Sequence, residues 1–324
     1  MDLLVNLGWL ALGLVLLSVG ADWLVKGASE IALRAGVTPL VIGLTVVAFG
    51  TSAPELLVSL KANLDPNTQA DIAVGNVVGS NICNIALLLG LAALIRPLVV
   101  GSQVIRREIP ILLGVTMVFI AMIWDGELAQ WEGLLLFAGI IIYVMASIKV
   151  ARKHPGEVPV DLPDDVIRES RGPAWKSVAW VVIGLAGLVF GADRLVVGGV
   201  AIAQKFGVPE VVIGLTLVAV GTSLPELATT IAAARRQETD IIAGNIIGSN
   251  LFNMMAVMGL ASVLKPIEVE NLNRLDLWVM GGFTLALVPL LARGARINRV
   301  EGALLMVGYF TYCTWLVKPE WFGG

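Results

Sequence analysis

The apolar residues of this chain come in long runs, and the polar ones collect in short stretches between them. Ten runs stand out, at 3–25, 37–60, 69–95, 108–124, 131–150, 175–200, 208–232, 240–264, 275–292 and 300–317. Each is close to the ~20 residues that a helix needs to cross the hydrocarbon of a bilayer. The pattern predicts an all-α polytopic membrane protein with ten transmembrane helices. One connection differs from the rest. Residues 151–174, ARKHPGEVPVDLPDDVIRESRGPA, are polar and proline-bearing, and they separate residues 1–150 from residues 175–324. Five helices fall on each side.

The polar residues inside the apolar runs carry more information, because they are repeated. Residues 42–55 read IGLTVVAFGTSAPE and residues 213–226 read IGLTLVAVGTSLPE. A second pair follows, GNVVGSNICN at 75–84 and GNIIGSNLFN at 244–253, and an earlier one matches GADWLVKGA at 20–28 to GADRLVVGG at 191–199. Two similar units with an odd number of spans sit in a membrane with opposite orientation. The expectation is therefore two inverted five-helix repeats, related by an axis in the membrane plane.

Composition supports the membrane reading. The chain is 57% hydrophobic and 15% charged, with mean hydropathy +0.86, against about 25% charged in a soluble domain. Of its 22 Lys and Arg, sixteen fall in loops on one side, counting Arg34, Arg96, Arg106, Arg107 and those of the 151–174 linker. Five fall on the other side, and Arg194 lies inside helix 6. The positive-inside bias makes the linker cytoplasmic and places both termini outside. The N-terminal MDLLVNLGWLALG lacks a basic leader region and reads as a first helix. Cys83 and Cys313 lie far apart in apolar segments and read as packing residues. The expected surroundings are the lipid bilayer of a bacterial or archaeal cytoplasmic membrane. No nucleic-acid partner is expected, and the chain should function as a monomer.

Proline is the key to the repeated motifs. Pro54 has no N–H to offer the carbonyl of Gly50, and its ring pushes that carbonyl aside. Helix 2 should break there and expose carbonyls around Ala48 to Thr51, and Pro225 should break helix 7 around Ala219 to Thr222. Irregular backbone at membrane depth survives only where it lines a cavity or is buried in protein. Glu55 and Glu226 then stand at the breaks. A charge at a helix centre costs about 2.5–3.5 kcal/mol on insertion scales, so a bound cation is the simplest compensation. Thr51, Ser52, Glu55 and Ser59 share a face, as do Thr222, Ser223, Glu226 and Thr230. On helices 3 and 8, Gly75 and Gly79, and Gly244 and Gly248, make small faces for close approach. Ser80 and Asn84 share one face there, and so do Ser249 and Asn253. Asn76, Asn81, Asn245 and Asn250 are set to point away from it, as interhelical hydrogen bonders.

Every candidate ligand is an oxygen, which disfavours zinc, copper and iron. Calcium takes six to eight oxygens and matches two carboxylates in charge, and sodium accepts the same oxygens. Two glutamates can balance one calcium or two sodium ions, so the two would compete for one cavity.

At these residues the chain resembles the calcium/cation antiporter superfamily, and within it the prokaryotic sodium/calcium exchangers. GTSAPE and GTSLPE, followed by GNVVGSN and GNIIGSN, carry the resemblance over essentially the whole chain. It implies alternating access, with helices 1 and 6 sliding past the other eight. It implies that Glu55 and Glu226 coordinate calcium with the carbonyls of Thr51 and Thr222. Sodium sites would add Ala48, Ser52, Ser80, Ala219, Ser223 and Ser249, with Asn84 and Asn253 at the centre. Some family members, including potassium-dependent ones, carry Asp at the position of Asn253, so its amide argues against potassium co-transport. No cofactor is implied beyond the transported calcium and sodium. Proton coupling is the runner-up, since both glutamates are titratable, and a cation channel or an enzyme is a more distant alternative.

Overall fold

The structure, a computed structural model, describes residues 3–65, 70–153, 173–206, 219–269, 274–292 and 294–317. Most of the 151–174 linker and the first part of the expected helix 7 lie outside these residues. The described elements are α1 (Leu3–Ala35), α2 (Pro39–Thr51 continuing as Ala53–Leu64), α3 (Asp71–Ile95), α4 (Val104–Asp125), α5 (Gln130–Lys153), α6 (Ala174–Lys205), α7 (Ala219–Thr222 continuing as Leu224–Arg235), α8 (Thr239–Leu264), α9 (Arg274–Ala292) and α10 (Arg299–Val317). Among them, seven helices are long and apolar enough to cross a membrane, and the bent α2 makes an eighth.

The breaks fall at the repeated motif. The two arms of α2 meet at 45°, hinged on Ser52 with φ −80 and ψ 7. Ser223 is the hinge of α7, with φ −87 and ψ 6. Pro54 and Pro225 each stand in the first turn of the second arm. No intrahelical N–H is needed at that place, so proline costs nothing there and starts the new helix. The helices also widen. π-helical turns occupy Gly43–Val47, Cys83–Leu88, Val104–Glu108 and Phe252–Val257. The sequence pattern carries no sign of them, although such turns often mark functional positions.

Helices α1 and α6 extend well past the apolar runs, to 33 and 32 residues. At ~1.5 Å per residue that is about 50 Å, more than a bilayer core requires. The polar extension of α1 is held by partners. Ser29 donates to Glu238 Oε1 at 3.0 Å. Ser177 of α6 donates to Glu30 and accepts from Arg34 Nε. The two helices run antiparallel with glycines face to face: a Cβ on Gly20 would lie 2.8 Å from the carbonyl oxygen of Gly184, and one on Gly13 would lie 2.8 Å from that of Gly191.

α8 lies equally close to the first arm of α2. A Cβ on Gly244 would meet the Leu40 oxygen at 2.6 Å, and one on Gly248 would meet Ala48 Cβ at 2.6 Å. The small-residue face expected on helix 8 is therefore used. Around Gly75 and Gly79 no atom of the described residues comes within 4 Å of an added Cβ.

Two short antiparallel pairs tie the helix ends. β1 (Leu98–Val99) pairs with β4 (Arg296–Ile297), and β2 (Glu127–Leu128) pairs with β3 (Ile267–Glu268). Each pair joins a strand of the first half to one of the second.

Candidate functional site

Each half-break delivers a threonine, a serine and a glutamate to the middle of the bundle. Thr51, Ser52, Glu55, Ser80, Asn84, Thr222, Ser223, Glu226, Ser249 and Asn253 are all buried. Glu55 is 0% exposed and Glu226 1%, so neither carboxylate has access to bulk water as compensation. Among the described residues neither makes an ion pair. Arg194, which lies within α6, is occupied elsewhere. It pairs with Asp193 beside it and lies over the Trp9 and Phe190 rings at 4.9 and 5.0 Å. Adjacent side chains on a helix do not ordinarily face each other. A long guanidinium arm nevertheless folds back onto its neighbour. Asp22 lies 3.5 Å from Arg236, and Lys26 sits over Trp180.

The hydrogen bonds of the centre come in twins, one from each half. Ser52 Oγ donates to Glu226 Oε1 at 3.2 Å, and Ser223 Oγ donates to Glu55 Oε1 at 3.3 Å. Ser80 Oγ donates to Glu55 Oε1 at 3.3 Å, and Ser249 Oγ to Glu226 Oε1 at 3.5 Å. Thr51 donates to Asn245 Oδ1 and Thr222 to Asn76 Oδ1, both at 3.2 Å. Each glutamate is thus held by the serine hinge of the opposite half and by the serine of the helix next to it.

These bonds use one oxygen of each carboxylate. The other, Oε2 of Glu55 and of Glu226, is buried and meets no donor among the described residues. The same holds for Oδ1 of Asn84 and of Asn253. Buried polar atoms are nearly always paired. Four acceptors left over in one motif, two of them on carboxylates, are a set that only a cation or added donors can satisfy.

One expectation needs correction. The Ala48 carbonyl is not simply released by Pro54. It accepts the Ser52 N–H at 3.0 Å and the Thr51 hydroxyl at 3.4 Å, because the chain closes one last turn before it breaks. Asn76 and Asn245 bond between helices, as expected. They accept from the hinge threonines, and Asn76 also donates to the Glu55 carbonyl at 3.3 Å. A helical wheel ranks residues by face but cannot say which neighbouring helix a face meets. Ala219 opens the described part of α7. Ser59 and Thr230 sit one turn beyond their glutamates. Ser59 accepts from Asn76 at 3.1 Å, and the Thr230 hydroxyl has no partner among the described residues.

A helical membrane bundle whose centre is a ring of buried hydroxyls, amides and two carboxylates on broken helices is built as an ion transporter. A model of the sodium/calcium exchanger protein family matches residues 5–149 and 176–318, and the chain belongs to that family of membrane antiporters. Inner membrane protein YrbG of Escherichia coli is 39% identical over 316 residues, covering 96% of each chain. Sodium/calcium exchanger MaX1 of Methanosarcina acetivorans is 35% identical, covering 95% of this chain and 97% of that protein. Among solved structures, the sodium-calcium exchanger NCX_Mj soaked with Na+ and Sr2+ superposes with TM-score 0.82 at 33% identity, over 96% of this chain and 98% of that one.

Proposed function

We infer that this chain exchanges calcium for sodium across the cytoplasmic membrane by alternating access. The observation that carries the reading is the set of four unpartnered acceptors, Glu55 Oε2, Glu226 Oε2, Asn84 Oδ1 and Asn253 Oδ1. Two carboxylates and several neutral oxygens suit one calcium, or two sodium ions in its place. Glu55 and Glu226 hold calcium with the Thr51 and Thr222 carbonyls. Ala48, Ser52, Ser80, Ala219, Ser223 and Ser249 extend the ligand set for sodium, and Asn84 and Asn253 stand at the centre. The names of MaX1 and NCX_Mj, both sodium/calcium exchangers, support the choice of ions.

The architecture behind this is ten transmembrane helices in two inverted repeats, residues 1–150 and 175–324, joined by a cytoplasmic linker at 151–174. The twinned hydrogen bonds support the two-fold relation. The strand pairs support the topology: β1 and β4 join loops rich in arginine, on the side assigned to the cytoplasm, and β2 and β3 join loops on the other side. Both termini are then outside. Both half-sites belong to one chain, so a monomer suffices for exchange.

The test is calcium uptake into proteoliposomes, with an outward sodium gradient and a pH gradient imposed separately. Uptake driven by the sodium gradient alone is expected. Uptake driven only by the pH gradient replaces sodium with protons, and uptake that saturates with neither gradient, as a passive flux, points to a channel.

A further inference from the structure

Four asparagines form a closed cross-brace between α3 and α8, and it determines which end of an amide the central site presents. Asn84 Nδ2 donates to Asn250 Oδ1 at 2.9 Å, and Asn253 Nδ2 donates to Asn81 Oδ1 at 3.1 Å. The bracing amides are themselves held. Asn81 Nδ2 lies 3.5 Å from the Asn250 carbonyl oxygen, and Asn250 Nδ2 lies 3.4 Å from the Asn81 carbonyl oxygen. All four side chains are buried, at 0–1% exposure.

The logic of the brace follows from hydrogen-bond chemistry. A backbone carbonyl is an acceptor only, so it must face the NH2 of the bracing amide. That turns the bracing Oδ1 toward the other helix, where it can receive only a donor. The donor is the NH2 of Asn84 or Asn253. Their Oδ1 atoms are therefore the ends left over, buried and without a partner among the described residues. Were either amide flipped, oxygen would face oxygen at about 3 Å inside the bundle, and NH2 groups would be offered to a cation.

Building on the ion-site reading above, we propose that Asn81 and Asn250 are positioning residues that make the centre of the site an acceptor of cations, each acting across the repeat through the asparagine of the opposite helix. Asn81 acts through Asn253, and Asn250 through Asn84. The nearer neighbour on the same helix, three residues away in each case, is not the one controlled. Both site asparagines lie in the π-helical turns of α3 and α8. The widened turn sets each of them off the regular helical register.

The crossed dependence can be read in a set of double-mutant cycles on calcium affinity, by isothermal titration of the purified full-length protein with calcium, and with sodium as competitor. Asn253→Ala and Asn84→Ala should each weaken calcium binding. Asn81→Leu and Asn250→Leu should each weaken it about five- to tenfold, the worth of one hydrogen bond. Asn81→Leu should have no further effect in the Asn253→Ala background yet keep its full effect in the Asn84→Ala background, with the converse for Asn250→Leu. A merely structural brace gives equal, additive effects in both backgrounds, and that result overturns the proposal while the ion site stands. Unchanged calcium binding in Asn253→Ala and Asn84→Ala removes both asparagines from the site and the proposal with them. Where a leucine variant does not insert, Asn81→Ser and Asn250→Ser take its place, because their hydroxyls are one bond too short to reach across.

Discussion

Two interfaces of this molecule join the same two halves of the chain by opposite means. Where α1 meets α6, the contact is made by glycines at seven-residue spacing, Gly13, Gly20 and Gly27 on one helix against Gly184 and Gly191 on the other, continued by Ser177. Backbone touches backbone, and the polar partners lie toward the helix ends, at Ser177, Glu30 and Arg34. Where α2, α3, α7 and α8 meet, the contact is made by hydroxyls, amides and carboxylates, and the bonds from the serines to the glutamates and from Thr51 and Thr222 to Asn245 and Asn76 are twinned in the other half. The first interface is specified by the absence of side chains. Its attraction is van der Waals contact, which in lipid is what close helix packing depends on. The second is specified by directional groups whose geometry leaves four acceptors over. A non-directional seam tolerates displacement as a unit, and a directional centre does not. That division fits the proposed motion, in which α1 and α6 travel together past a core that keeps its ion ligands in place.

The comparison can be broken first at the centre. Glu55→Gln or Glu226→Gln should lower sodium-driven calcium uptake by more than about a hundredfold, since in the proposed site the carboxylate supplies the charge that compensates the ion in low dielectric. Retained thermal stability and membrane insertion will show that the seam is untouched. Normal exchange by either variant removes the glutamates from the site.

The seam comes next. Gly20→Ala or Gly184→Ala places a methyl group within 2.8 Å of a backbone oxygen, and helices must separate to admit it. A destabilisation of about 1–3 kcal/mol is expected, measured by thermal denaturation in detergent. Gly8→Ala, on the same helix but with nothing within 4 Å of the new methyl, should be neutral, or stabilising by up to about 1 kcal/mol. Equal behaviour at positions 8 and 20 shows that the seam is not close-packed.

A smaller effect tests whether the twins are equivalent. Ser52→Ala and Ser223→Ala each remove one bond from a hinge to the opposite glutamate and should weaken calcium affinity about tenfold, to the same degree. Titration of both variants shows it, and a large difference between them breaks the two-fold relation at the centre. Smallest of all is Asp22→Asn. Its ion pair with Arg236 is 3.5 Å long with Asp22 half exposed, so loss of the pair should change stability by no more than about 0.5–1 kcal/mol.

Much of this was legible before any coordinates. The apolar runs located the helices, and Pro54 and Pro225 located the breaks, because both signals are local. The buried glutamates stood out for the same reason: a carboxylate in an apolar run is conspicuous without knowing its neighbours. Helix ends were less legible. α1 runs on to Ala35 because Ser29, Glu30 and Arg34 find partners on α6 and beside Glu238, and those partners lie more than a hundred residues away. Asn76 and Asn245 were legible as interhelical hydrogen bonders, but Thr222 and Thr51 as their partners were not, because a wheel drawn for one helix does not include the helix that packs against it.

Residue type and spacing along the chain were therefore enough to show the class of protein, the repeated motifs and the oxygen-bearing residues proposed for the centre. The tertiary structure alone decided that each glutamate is held by the opposite half's serine, that Asn81 and Asn250 brace Asn253 and Asn84, and that α1 and α6 meet glycine to glycine. Those facts depend on the relative register of helices far apart in the chain. That register is set by close contact in three dimensions, on which helical periodicity carries no information.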